Sequence, residues 1–272
     1  MNKNPFLAAF TILVSLSSFC FSQDRFPAVS NGDRGWPTIV AQQLLNERMR
    51  TSLTLDGQAG TNTTVAIRNL QRRLGDFPNG MLADEQWEKL LTGAKPKFLI
   101  HFIHGSFVKD NSSTPENDSL YDSEVIVYLL EATGPRVLAK FRGSIMPDDL
   151  TSRGRLVDGA YPIQIGFHRR QKRPRQDDLT VKTNGLRPCL VVNRDNAVAV
   201  ASRNPSKKTS TAIHIHNGFK VKRESLGCPT ISPKDWPTFL GLFMQRYPKL
   251  NSWTGDGQFR GQFVGALIVS SK

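Results

Sequence analysis

The sequence predicts an α+β protein: a small N-terminal three-helix domain, then a mainly-β barrel or sandwich with one helix after Cys228. Three observations predict it. Apolar residues recur at three- and four-residue spacing between residues 37 and 92, the period of a helix face. From residue 98 onward the apolar segments are short, strand-like and separated by Gly, Pro, Asn and Asp. Late in the chain, helical spacing returns once, after Ser232-Pro233.

A chain of 272 residues, 39% hydrophobic and 22% charged, has ordinary globular composition and can bury the core of one large or two modest domains. Residues 1–22 stand apart. Lys3 supplies a positive start, Phe6 to Phe21 is almost wholly apolar or small, and Ser22 before Gln23 offers a small residue for cleavage. The apolar run falls short of the ~20 residues a bilayer requires, so it reads as a signal peptide rather than a membrane span. Phe19 beside Cys20 fits a lipidation site poorly, so plain cleavage is expected over a lipid anchor. The expectation is an exported chain of the periplasm or cell envelope, with no integral membrane span after cleavage. The formal charge of +13 loses only Lys3 with the leader. An exported basic protein meets anionic wall polymer or an outer membrane face rather than nucleic acid; a basic surface with no specific partner is the bland alternative.

Residues 23–36, rich in Pro, Gly and Asn, read as a linker. Trp36-Pro37 opens a first helix with Ile39, Val40, Leu44, Leu45 and Met49 on one side. After the turn Leu55 to Gly60, Asn62 or Thr63 is placed to cap a second helix carrying Ala66, Ile67, Leu70 and Leu74. Pro78-Asn79-Gly80 leads to a third with Leu82, Trp87, Leu90 and Leu91. The Asp56-Gly57 turn, the helix ending Leu70-Gln71-Arg72-Arg73-Leu74, Asn79-Gly80 and the closing Trp87 to Leu91 together resemble three-helix peptidoglycan-binding domains over about residues 37–92, which places a domain of this kind at residues 37–94. Met81 to Asp84 lacks the usual Gly-Pro of that family's second repeat. The resemblance implies wall binding; a helical unit that only supports its neighbour is the alternative.

The second domain, residues 98–272, follows Lys95-Pro96-Lys97. Its expected strands are Phe98 to Ile103, Glu124 to Glu131, Arg136 to Arg142, Tyr161 to Phe167, Cys189 to Asn193, Ala197 to Ser202, Ala212 to His216 and Gln262 to Val269. Ser232 is placed as a helix cap with Pro233 in the first turn. Trp236, Phe239, Leu240, Phe243 and Tyr247 then line one face, to pack beside the Cys228 loop. His101 and His104 flank an apolar run and receive no assigned role. His168 heads a basic run, Arg169 to Arg175, that reads as a solvated loop.

The chemistry concentrates between Ile213 and Ile231. His214 and His216 alternate with Ile213 and Ile215, so a strand presents both imidazoles on one face. In Ser225-Leu226-Gly227-Cys228, Gly227 permits a tight turn that exposes a thiol and aims backbone N–H groups at one point, as a thiolate nucleophile with an oxyanion hole requires. This stretch resembles the catalytic motif of the L,D-transpeptidase (YkuD-type) domain, in a divergent branch. The resemblance implies an L,D-transpeptidase-like fold, with His216 as general base, Cys228 as nucleophile, Gly227 in the turn and Ser225 as the motif serine.

Three departures accompany the resemblance. The 12 positions from His216 to Cys228 are fewer than in many members, Leu226 stands where some have a second histidine, and Thr230 stands where many have an arginine. His214 is a possible orienting residue. Lys220, Lys222 and Arg223, with Asn217 and Gly218, are candidate substrate contacts; positive charge there would favour the thiolate and hold a carboxylate. Read blandly, Cys228 is a buried hydrophobe or pairs with Cys189 in a disulfide. His-x-His with one cysteine falls short of a zinc set.

The expected activity is that of an exported cysteine acyltransferase on peptidoglycan stem peptides. Water as acceptor would give a carboxypeptidase or endopeptidase instead, and a Cys189–Cys228 disulfide a non-catalytic wall-binding protein. No motif calls for a metal or an organic cofactor, and none sets an oligomeric state.

Overall fold

The computed structural model describes residues 25–105, 121–145, 154–168, 187–218, 228–247 and 262–272. These residues form an α+β structure with four α-helices and a large, mostly-β sheet closed into a barrel.

The helices α1 (Trp36–Met49), α2 (Thr61–Leu74) and α3 (Asp84–Leu91) bury the stripes their spacing predicts. One boundary differs: α2 starts from Gly60, with no side-chain cap, rather than at Asn62 or Thr63. Two turns are pinned in the same way. Gln42 of α1 donates to Asp56 Oδ1 and the Gln58 carbonyl and accepts from Gly57 N–H. Gln71 of α2 donates to Asn79 Oδ1 and the Met81 carbonyl and accepts from Gly80 N–H. An Asx residue, a left-handed glycine and a buried glutamine therefore recur, although Met81 to Asp84 lacks the expected Gly-Pro. The stretch expected as a linker is woven into this unit. Phe26 and Val29 are buried, Val29 bridges to Leu82, and Trp87 Nε1 donates to the Pro27 carbonyl at 3.0 Å.

The strands are β1 (Lys97–His104), β2 (Ser123–Glu131), β3 (Gly134–Ser144), β4 (Arg155–Leu156), β5 (Gly159–His168), β6 (Arg187–Val192), β7 (Val198–Ala201), β8 (Thr209–Ser210), β9 (His214–Asn217), β10 (Thr230–Ile231) and β11 (Phe263–Ser271). The barrel closes in the order β1-β11-β5-β6-β9-β10-β3-β2, and β4-β7-β8 form a small separate sheet. Closure leaves no unpaired edge. Within the barrel β1–β11 and β9–β10 are parallel and the other pairings antiparallel.

Both faces of β1 are covered. Phe98, Ile100 and Phe102 enter the barrel core with Val125, Val127, Ile163, Ile215 and Leu267. Leu99 faces outward and, with Ile126, Tyr128, Leu130, Ala266 and Ile268, joins the core of the helical unit. Each such side chain contributes roughly 1.5–3 kcal/mol when fully buried, so the shared apolar surface is the main adhesive between the units. Gln43 Nε2 donates to the Gly265 carbonyl at 2.8 Å, and Lys97 Nζ meets Glu47 Oε1 at 2.7 Å.

The last helix, α4 (Trp236–Met244), inserts Trp236, Phe239, Leu240 and Phe243 into the barrel core, as expected of its apolar face. Phe239 meets Phe141 edge to face, with centroids 5.5 Å apart. The helix begins four residues later than Ser232. That residue opens a turn whose carbonyl accepts from Asp235 and Trp236 N–H, and Pro237 takes the first-turn position. The Asp235 carboxylate accepts the Arg142 N–H at 3.1 Å, tying the start of α4 to β3.

Candidate active site

Alternation places the site. Ile213 and Ile215 are buried in the barrel core, so His214 and His216 share the opposite face of β9, as predicted. Both are nonetheless covered, at 6% and 8% exposure. β9 lies between β6, antiparallel (Leu190↔Ile215, Val191↔His214), and β10, parallel (Thr230↔His216, Ile231↔Asn217).

The β9 amides that face β10 come at every second residue. Gly218 N–H donates to the Ile231 carbonyl at 2.8 Å and His216 N–H to the Pro229 carbonyl at 3.3 Å. His214 N–H donates to Cys228 Sγ at 3.5 Å. The thiol is thus the acceptor at the third rung, where a regular parallel ladder has a backbone carbonyl. Cys228 Sγ also lies 3.8 Å from the Ala212 carbonyl, where a thiol proton is accepted. Pro229 has no N–H to add to the ladder. Cys228 is 5% exposed and touches the barrel core, which agrees with its bland reading as a small hydrophobe. The donor and acceptor at its sulfur are what that reading lacks.

His216 Nδ1 lies 2.7 Å from the Asn217 carbonyl. A carbonyl only accepts, so Nδ1 carries a proton; in the neutral ring the lone pair then falls to Nε2, the tautomer a general base needs. Thr230 is in register with His216, and its hydroxyl donates to the Ser144 carbonyl at 3.4 Å. Asn217 Oδ1 is buried with no hydrogen-bond partner among the described residues. Gly218 has a steric role: a Cβ there would collide with the Tyr121 hydroxyl and come within 2.7 Å of its ring carbons.

Of the sequence candidates, the structure places His214, His216, Asn217 and Gly218 in succession along β9 and just past its end, with Cys228 beside the start of the strand at His214. Ser225 and Gly227, with Lys220, Lys222 and Arg223, lie outside the described residues. Cys189 and Cys228 are not joined in a disulfide, which corrects the disulfide-bonded alternative. The topology explains it: Cys189 lies on β6 and Cys228 precedes β10, with β9 between. Two strand spacings of ~4.8 Å exceed the ~7 Å limit for a disulfide's Cα atoms. Among the described residues no group of three His, Cys, Asp or Glu has metal-holding geometry.

Sequence reasoning missed Ala212, Tyr121 and Ser144. Alanine and serine carry no mark of a backbone role, and Tyr121 is some hundred positions from the motif it touches. His101 sits on the outer face of β1, with Nε2 2.8 Å from Ser270 Oγ, away from this site. His104 Nδ1 lies 3.6 Å from Asp122 Oδ1.

No protein-family profile and no curated protein matches the chain. Solved structures to which it is similar include the following three, each with a TM-score of 0.23. A fused Zn-dependent amidase/peptidase/peptidoglycan-binding domain-containing protein from Clostridium acetobutylicum is 11% identical, over 89% of this chain and 99% of that one. The L,D-transpeptidase (residues 123–326) from Xylanimonas cellulosilytica is 14% identical, over 91% and 98%. An L,D-transpeptidase from Stackebrandtia nassauensis is 13% identical, over 89% and 94%. What the described residues define by themselves is an α+β barrel in which a thiol rests against the main chain of the strand that carries two histidines.

Proposed function

We propose that the chain is an exported cysteine acyltransferase acting on peptidoglycan stem peptides, in the manner of the L,D-transpeptidases. The observation that carries this reading is the Cys228 sulfur seated at the third rung of the β9–β10 ladder, on the strand that bears His216 in its basic tautomer. The motif Ile-His-Ile-His-Asn-Gly followed by Ser-Leu-Gly-Cys supports it from the sequence. No helix of the described residues is long and apolar enough to cross a membrane.

The Cys228 thiol gives its proton to His216 Nε2, and the sulfur attacks the carbonyl on the L-centre side of an L,D bond. Backbone N–H groups around Gly227 and Cys228 hold the oxyanion. The C–N bond breaks, the imidazolium protonates the departing D-alanine amine, and a thioester remains. A side-chain amine of a neighbouring stem attacks the thioester, His216 takes its proton, and the thiol is restored as the cross-link forms. The basic chain and the helical unit's resemblance to peptidoglycan-binding domains suit a wall substrate.

Incubation of the mature protein with isolated muropeptides tests the reading. Release of D-alanine with dimer formation, lost in Cys228→Ala, is expected. Trimmed monomers without dimers would make water the acceptor, and turnover by Cys228→Ala would refute the nucleophile assignment.

A further inference from the structure

Ala212 occupies the left-handed region, at φ 53°, where an L residue is strained. Among the described residues the other non-glycine positive φ values fall at Arg50, which ends α1, and at Asn193 and Arg194 in a 3₁₀ turn. Ala212 is neither a helix end nor a residue type that favours this region. Its side chain is exposed, so packing does not hold the conformation. What the conformation does achieve lies at the main chain. The Ala212 carbonyl and the His214 N–H face the Cys228 sulfur at 3.8 and 3.5 Å, astride Ile213, whose side chain is anchored in the barrel core.

We propose that Ala212 is a positioning residue whose left-handed backbone aims this carbonyl and this amide at Cys228 Sγ and so seats the nucleophile. The proposal rests on the reading of Cys228 as the nucleophile. In the resting thiol the sulfur's proton lies on the Ala212 carbonyl. When that proton passes to His216 Nε2, the thiolate keeps the His214 N–H as a charge-assisted donor. The seat therefore favours the ionised sulfur without adding a charged group. The titratable or charged groups on the flanking elements are His214 and His216 on β9, Arg187 and Cys189 on β6, Arg136, Lys140 and Arg142 on β3 and Asp235 at the start of α4; none is altered by a change at position 212.

The test is the rate of iodoacetamide alkylation at Cys228 across a pH series, read by peptide mapping to separate it from Cys189, in the mature chain. Ala212→Gly adopts the left-handed region freely and is expected to keep the wild-type profile. Ala212→Val, β-branched and strongly disfavoured there, is expected to react about ten-fold more slowly below the midpoint, a displacement of one pH unit upward. Should the valine variant not fold, Ala212→Thr takes its place with the same direction of effect. A folded Val or Thr variant with the wild-type profile, or a Gly variant displaced as far as Val, would overturn the proposal. Alkylation needs no substrate. A displaced profile in a protein that leaves muropeptides untouched would sink the proposed function alone, and Cys228-dependent turnover with an unmoved profile would sink the seat alone.

Discussion

The main-chain N–H of His214 donates to the sulfur of Cys228 at 3.5 Å, so the strand that carries both imidazoles also holds the thiol. The relationship makes the ring of His214 and its backbone separable, and in the proposed function the base is His216, whose Nδ1 meets the Asn217 carbonyl.

On this assignment His216→Asn lowers kcat/KM on muropeptides by about 10²–10⁴, the usual contribution of a positioned general base. His214→Asn keeps the backbone donor and lowers it far less. Equal losses in the two variants would contradict the division of roles.

Gly218 ends the strand beneath the Tyr121 ring, and an added methyl overlaps it. Gly218→Ala is expected to destabilise the protein by about 1–3 kcal/mol in urea unfolding, the ordinary cost of overpacking. In a Tyr121→Ser background the same change costs less. Strict additivity of the two would show that the ring is not what excludes the methyl.

Lys97 is fully buried, and burial is the largest influence lowering its pKa, opposed by Glu47, which is 31% exposed. Removing Glu47 strands a cation between the two units. Glu47→Ala is expected to cost about 3–5 kcal/mol in thermal or urea unfolding, and Lys97→Met distinctly less, because it removes the buried charge itself. The reverse order would mean that the pair is solvated in solution.

Burial holds the His101 imidazole down at about 4 from an ordinary 6.5, against a weaker pull upward from Glu124. Between those values the unfolded chain binds the proton and the folded chain does not. Stability is therefore full above pH 6.5 and falls as the pH drops through 4, by roughly 3 kcal/mol in total. His101→Gln should flatten this limb of a stability-against-pH curve. An unchanged limb would place the acid sensitivity elsewhere.

The helices and the eight longer strand segments, the histidine strand among them, were legible because each rests on a local hydrophobic pattern. Their partners were not. Ile126 to Leu130 is a continuous apolar run, and Phe98 to Ile103 one broken only by His101, because both faces are covered, inward by α4 and outward by the helical unit, yet a run alone does not say by what. Two-residue strands such as β10 carry no period at all, and β10 is the strand that pairs with β9 beside the thiol. Phe26 and Val29 are too few to reveal that the stretch before Trp36 belongs to the helical core. Gly218 announced itself by its type, whereas Ala212, left-handed in a residue that rarely is, did not.

The central claim is that Cys228 is an acyl-accepting nucleophile. The most direct measurement is intact-protein mass spectrometry of the purified protein after incubation with a carbapenem, followed by peptide mapping, since ring opening of the drug by a thiolate leaves a stable acyl adduct. A single adduct on Cys228, absent from Cys228→Ala and strongly reduced in His216→Asn, is the predicted result. A folded wild-type protein that gains no mass, or one modified at Cys189 instead, would contradict the account.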